Sequence, residues 1–424
     1  MITVKIPYSS AYLEAKLDER RVQGILRPNI DTYISGLTQN QIVERAIANP
    51  IQSLPLRELA RESNNILLVT SDHTRPLPSN ITLPILLHEI RCGNREARIK
   101  ILIATGCHRP TTYQEMLDKF GKDIVEREEI INHNCKDTDQ NVYKGILPSG
   151  GELWLNSLVD WADLVISEGL IEPHFFAGFS GGRKSIMPGI AGQNTVLANH
   201  NSRFIADVNA NTGILNNNPI HRDMLFAAKA ARLRFILNVC INSEKEIVQA
   251  FAGHPEKAHY EGCEFVKNLL KVRRKESDIV ITSNGGYPLD QNIYQAVKGM
   301  TAAETCVRKD GVIIMVAGCC DGHGGEAFYN WMTRGKSPEE IMQKILAVPP
   351  EQTMADQWQA QILARVLLKA RVIMVTDLAN KEMVESMHMS YACSLDEAIK
   401  QAEAIVGSDS SITVIPDGVG VIVE

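Results

Sequence analysis

The sequence predicts an α/β protein of two domains, each a largely parallel sheet flanked by helices, with an active site in the cleft between them. Three observations carry this prediction. Short, uninterrupted apolar runs recur along the 424 residues; helix-start signals fall between them; and nearly every unusual polar cluster lies directly after one of the runs. Apolar, β-branched runs without alternation are expected of strands covered on both faces, and such sheets are parallel. Alternation with helical segments then gives α/β layers.

In chain order, residues 2–30 read as a small β meander laid against the first sheet. The runs 65–70, 98–104, 163–166 and 235–239 form a first set of strands, and 278–282, 312–316, 371–375 and 412–415 a second. Between them, Thr38 with Gln41, Thr112 with Glu115, and Ser394 with Glu397 have the spacing of capping boxes. Ser337-Pro338 places proline at a first helical position. The charged stretch from Lys271 to Asp278 separates the two sets, so the expected domains are 1–272 and 273–424. A chain of this length is expected to form more than one domain.

Composition narrows the class. With 44% hydrophobic and 22% charged residues the chain is of ordinary globular type. A net charge of −6 without strong local asymmetry argues against nucleic acid and membrane surfaces as partners. The one basic cluster, Lys271-Val272-Arg273-Arg274-Lys275, precedes Glu276 and Asp278 and reads as a solvated helix end or linker. No basic segment followed by an apolar one opens the chain, so no signal peptide is expected. The apolar runs are too short to span a bilayer. Nine cysteines without a C-x-x-C pair argue against a disulfide scaffold or zinc ribbon and for a reducing cytoplasm. Cys107 reads as a small buried residue at a strand end.

The chemistry gathers at strand ends. After the first run stands Ser71-Asp72-His73-Thr74-Arg75-Pro76, and after the second Thr105-Gly106-Cys107-His108-Arg109-Pro110. After the third comes the glycine-rich loop Glu172-Pro173-His174-Phe175-Phe176-Ala177-Gly178-Phe179-Ser180-Gly181-Gly182-Arg183-Lys184-Ser185, with His200 sixteen residues past the lysine. In the second half, Ser283 to Gln291 and Ala317 to Gly325 hold the corresponding places. Taken singly, each cluster has an ordinary explanation. His108-Arg109-Pro110 can be a turn, Asp72 an Asx-turn residue, and Gln291, Gln295 and Lys298 one wet helix face. Carboxyl ends of parallel strands converge on one edge, however, and that shared placement outweighs the separate readings.

Two motif matches fail. Gly178 to Ser185 resembles a P-loop, but Arg183 stands where glycine should precede the lysine. Gly322-His323-Gly324-Gly325-Glu326-Ala327 matches a dinucleotide fingerprint but lies too far past its strand and lacks the following acid. Three histidines, a lysine and two arginines at a cleft point to a metal or phosphate cofactor and an anionic substrate. Histidine suits nickel, copper or zinc, and the absence of an H-E-x-x-H pair disfavours a zinc hydrolase.

These motifs, together with Asn199-His200 and the segment from Asn284 to Gly299, resemble those of the nickel-pincer lactate racemase family. The resemblance runs over nearly the whole chain, to Val414-Ile415-Pro416-Asp417-Gly418-Val419-Gly420. It implies a racemase of a small 2-hydroxy acid, working by proton-coupled hydride transfer through a 2-keto acid. The implied cofactor is a nickel-pincer nucleotide, Ni(II) pyridinium-3,5-bisthiocarboxylic acid mononucleotide, tethered to Lys184 through a thioamide. His200 would complete the nickel coordination, and Asp72, Thr74 and Arg75 would hold the ribose–phosphate part. His108 and His174 would be the acid/base pair. Gln295 and Lys298, with Arg75 nearby, would bind the substrate carboxylate. By position alone, Tyr294 and Trp358 are candidates for the pocket wall, with core residues the alternative reading. The implied partners are the hydroxy acid and the proteins that build the cofactor.

That chemistry suits these residue types. Deprotonating carbon beside a carboxylate would place a second negative charge next to the first, whereas removing hydride leaves a neutral ketone while a base takes the hydroxyl proton. Imidazole, with an ordinary pKa near ~6.5, can exchange that proton at neutral pH. Two histidines answer to the opposite hydroxyl positions of the two enantiomers. Lactate leads as substrate; malate or a longer hydroxy acid, or a non-catalytic anion- or nucleotide-binding role on the same scaffold, are the alternatives.

Overall fold

A computed structural model describes all of residues 1–424. The chain opens with a hairpin, β1 (Ile2–Tyr8) and β2 (Ala11–Leu17), then β3 (Val22–Ile25). A first six-stranded sheet follows from β4 (Asn65–Ser71), β5 (Arg98–Ala104), β6 (Glu129–Asn132), β7 (Leu164–Leu170), β8 (Leu233–Ile241) and β9 (Ile247–Gly253). Its spatial order is β9-β8-β7-β4-β5-β6, parallel except for the antiparallel edge strand β9. The second sheet takes β10 (Ser277–Ser283), β11 (Val307–Val316), β12 (Arg371–Val375), β13 (Ser390–Ala392) and β14 (Ile412–Ile415), with β3 at its edge. Its order is β13-β12-β11-β10-β14-β3, and every pair in it is parallel.

All eight apolar runs expected to be strands are strands. Their lack of alternation has the expected cause. Ile66 and Leu68 of β4 pack with the Gln39–Ala48 and Ser79–Gly93 helices on one face, while Leu67 and Val69 pack into a different core on the other. That second core is continuous with Val280, Ile313 and Met315 of the second sheet and with the helix Ile293–Cys306. The two halves therefore share apolar packing behind the cleft. No helix is long and apolar enough to cross a membrane.

The opening residues depart from expectation. The hairpin and β3 do not lie against the first sheet; they belong to the second. Val4, Ile6, Ala15 and Leu17 cover Ile279, Ile281, Val312 and Ile314, beside the helix Leu395–Val406, which is the main cover of that face. Alternation in the hairpin announces one buried face but cannot say which sheet it covers. The capping boxes of Thr38 and Thr112 are complete. Ser394 accepts from the Glu397 N–H, but the Glu397 carboxylate turns to the N–H of Cys393 instead of the cap residue.

Because the hairpin supplies core to the second sheet, Leu17→Ala should cost about 2–5 kcal/mol through the cavity it leaves. Tyr12→Ala, on the exposed face of the same hairpin, should stay within about 0.5 kcal/mol. Urea unfolding followed by circular dichroism checks both; equal effects would place the hairpin outside the core.

Candidate active site

The carboxyl ends of the two sheets border one cavity of roughly 920 Å³. The loops after β4, β5 and β7 line it from one half, and those after β10 and β11 from the other. Every residue singled out by the family resemblance lies on its wall: Asp72, Thr74, Arg75, His108, His174, Lys184, His200, Gln295 and Lys298, together with Tyr294 and Trp358. Gathering these residues from positions 72 to 358 follows from the common strand direction.

His108 follows β5, and its Nδ1 lies 2.6 Å from Oδ2 of Asp72, which follows the adjacent strand β4. The other oxygen of Asp72 accepts from the backbone N–H and the hydroxyl of Thr74, at 3.1 and 2.6 Å. Arg75 donates to the Thr74 hydroxyl at 3.0 Å and approaches Glu172 at 3.4 Å. Burial alone would push the Asp72 carboxyl up, but His108, Arg75 and the Thr74 hydroxyl hold it well below the usual range. Asp72 is thus an anion at neutral pH, and whenever the His108 ring is neutral this contact places its proton on Nδ1 and its lone pair on Nε2.

His174 has the opposite arrangement. Its Nδ1 accepts the N–H of Ala177 at 3.2 Å, so the neutral ring carries its proton on Nε2. Burial, then the cations Lys184, Lys298 and Arg75, pushes its pKa well below the ordinary value. His200 ends the helix Gln193–Asn199 and packs edge-on between Phe176 and Trp358, with ring centroids 5.0 and 4.9 Å away. Burial, then Lys184, brings it down to about 3. Its Nδ1 is buried without a hydrogen-bond partner.

Lys184 stands on the short 3₁₀ turn Gly182–Ser185, and the residue before it explains the failed P-loop match. Arg183 turns inward and is 1% exposed. Its guanidinium donates to the carbonyls of Ala177 and Phe179, both at 2.7 Å, and of Gly181 at 3.2 Å, while Nε donates to Nδ1 of His221 at 2.9 Å. A P-loop turns amide N–H groups toward a phosphate; this loop turns carbonyls toward its own arginine. Burial and the cations Arg75, Lys298 and Arg183 push the Lys184 ammonium well down, favouring the neutral amine.

The second half contributes an amide and an ammonium side by side. Gln295 and Lys298 lie in the first turns of the helix Ile293–Cys306, capped by Asn292, and Lys298 Nζ donates to Gln295 Oε1 at 2.5 Å. Burial, then Arg75, brings Lys298 down to about 7. Trp358 donates to the Tyr294 hydroxyl at 2.9 Å, so these two form one wall. Arg109 stays at the rim, paired with Glu115 at 2.7 Å.

Sequence reasoning missed the groups that hold these loops. Glu168 on β7 is fully buried; its carboxylate accepts from Thr70 at 2.6 Å, Ser79 at 2.7 Å and Thr82 at 2.5 Å. Those donors bracket the segment carrying Asp72, Thr74 and Arg75. Between them, Lys119 donates to the carbonyl of Arg75 at 2.9 Å. A lone carboxylate in the apolar run Leu164-Val165-Ile166-Ser167-Glu168 was a visible signal for Glu168. Lys119 had none, since its helix reads as an ordinary amphipathic surface helix.

Comparison with known proteins finds similarity over the whole chain. The family model described as the lactate racemase N-terminal domain matches residues 8–213, and that of the lactate racemase C-terminal domain matches 272–423. The chain is 56% identical to a lactate racemase of Thermoanaerobacterium thermosaccharolyticum and 49% identical to one of Lactiplantibacillus plantarum, each over the full length of both proteins. The structure superposes on the lactate racemase apoprotein of the former organism with a TM-score of 0.94 at 56% identity, covering both chains completely. A protein from Thermotoga maritima shares the fold, with a TM-score of 0.71 at 20% identity over 92% of this chain. The chain belongs to the lactate racemase family.

Proposed function

We propose that the chain interconverts D- and L-lactate, with His108 and His174 as the acid/base pair on opposite sides of the substrate. The observation that carries this reading is that both rings line one cavity, each fixed through its Nδ1 so that Nε2 is the nitrogen left for a substrate. His108, tied through Nδ1 to the Asp72 carboxylate, offers a lone pair at Nε2; His174, accepting a backbone N–H at Nδ1, offers an N–H there. A neutral His108 can take the hydroxyl proton at Nε2, and His174 can return one once it holds a second proton as an imidazolium; exchanging these two protonation states runs the reaction in reverse. Asp72 acts here as the orienter of His108, since both its oxygens are engaged by protein donors.

The residues also fit the nickel-pincer nucleotide. His200 is a neutral imidazole with an unpartnered buried nitrogen, suited to a metal. Lys184 favours the neutral amine that acylation requires, and Thr74 and Arg75 lie where a phosphate would be held. When bound, that group supplies a reversible hydride acceptor for the carbon bearing the hydroxyl. Anions bound at Lys298 and Arg75 offset part of the charge that depresses His174, which moves His174 back toward the range where it can hold a proton. Lys298 and Gln295 orient the carboxylate, with Arg75 beside them. In this reading the half built on the first sheet anchors the cofactor, and the half built on the second sheet binds the carboxylate through Gln295 and Lys298. Partner proteins build the cofactor. A reducing compartment such as the cytoplasm is supported by nine free cysteines.

Protein co-expressed with cofactor-building enzymes should carry nickel and a mass adduct on Lys184, and should racemise lactate of either hand. Lys184→Ala should lose the adduct. His108→Ala and His174→Ala should keep it and lose about 10²–10⁴-fold in kcat. Wild-type rates in either histidine variant would overturn the two-base scheme.

Lys298 yields a pH prediction. Its ammonium is held down to about 7, and a bound carboxylate must raise that value. Below about 7 the lysine is charged before and after binding, so affinity is flat. Above it, binding takes up a proton, and lactate affinity should fall by about tenfold per pH unit until the raised pKa is reached. Calorimetry at pH 8 in buffers of different ionisation enthalpy should show the uptake. A Lys298→Met protein with the same uptake would assign the proton to another group.

A further inference from the structure

We propose that Cys107 and Cys135 form an oxidisable thiol pair, and that their closure to a disulfide turns the site off by displacing His108. The pair is a product of sheet register. Ile103 of β5 is paired with Asn132 of β6, and each cysteine lies three residues beyond the end of its strand. Their Sγ atoms are 3.8 Å apart, and both residues line the cavity. The two loops are already tied together, by the Thr105 hydroxyl to the His133 carbonyl at 2.7 Å and by the His133 N–H to the Ile103 carbonyl at 3.1 Å. With the strand ends tied in this way, closing from 3.8 Å to a bond of about 2.05 Å draws the Cys107 segment toward the loop after β6. All nine cysteines are free, and neither member of this pair has a task in the proposed chemistry.

The step balances with a small organic disulfide as co-reactant. The Cys135 thiolate attacks it, releasing one small thiol and leaving a mixed disulfide; the Cys107 sulfur then attacks the Cys135 sulfur and releases the second. The protein gives up two protons and two electrons, and the small disulfide is reduced to two thiols. Cys135 is the attacking partner because the Cys107 contact, then Lys136, draws its pKa down, while the same contact and burial push Cys107 up.

The consequence falls on the next residue. His108 follows Cys107 directly, its N–H bonds the Thr105 carbonyl at 2.9 Å, and its ring is aimed by the 2.6 Å contact with Asp72. Drawing Cys107 toward β6 rotates the backbone that carries this ring and breaks its alignment. The inference rests on the acid/base reading of His108.

The test uses cofactor-loaded protein treated with 2-hydroxyethyl disulfide. Peptide mass mapping follows the 107–135 cross-link, a loss of two hydrogens, beside lactate racemisation. Mapping also separates this cross-link from mixed disulfides on the exposed Cys92, Cys320 and Cys393. The expected result is a cross-link that accumulates in step with at least a tenfold loss of activity, with dithiothreitol reversing both. Cys135→Ser should keep its activity through the same treatment, and Cys107→Ser serves if that variant does not load. Absence of the cross-link, a cross-link without loss of activity, or equal inactivation of the serine variants would overturn the proposal. Failure of the His108 reading shows separately, as wild-type racemisation by untreated His108→Ala.

Discussion

Common strand direction is the constraint on which the rest of this protein depends. Around β7 the strands β8, β4, β5 and β6 all run the same way, and the whole second sheet is parallel. Every loop that leaves a carboxyl end therefore opens at the same edge. With two such sheets joined by a continuous apolar core, their edges border one cavity, and residues separated by hundreds of positions become neighbours. A single reversed strand in the middle of either sheet would send its loop to the opposite side.

That constraint brings loops to the cavity but does not hold them in shape. Buried polar groups do so. Arg183 gathers three carbonyls of the glycine-rich loop about its guanidinium, and Glu168 gathers three hydroxyls around the segment bearing Asp72. Both are deeply buried and surrounded by partners, the condition under which a buried ionisable group is tolerated. Removing either would strand several donors or acceptors at once, at about 1–3 kcal/mol apiece. The site residues can thus point into open space because others behind them are fully satisfied.

The cavity itself is electrostatically unfinished. Arg75 stands close enough to depress both Lys184 and Lys298, Lys298 also depresses Lys184, and all three push His174 down. Such crowding of cations is poor for the ligand-free protein and good for binding anions, since a phosphate and a carboxylate would offset it. The ionisation of each group is a property of the occupied site as a whole.

The sequence by itself determined the strand runs, the alternation with helices, the loops that carry chemistry and the residue types in them. These are local facts: continuous apolar runs, capping signals and glycines can be read from neighbours along the chain. His108, His174, Gln295 and Lys298 were legible for that reason, standing soon after a recognisable run or at a helix start, whereas Lys184 within the glycine-rich loop and His200 at a helix end took their meaning from the family resemblance. Only the tertiary structure decided which sheet the opening hairpin covers, that Arg183 turns inward, that Asp72 serves His108, and that Cys107 meets Cys135 across two strands. Each of these is a pairing between residues distant in sequence, or a choice of direction for one side chain. Register and packing settle such matters, because alternation records that a face is buried and not what buries it.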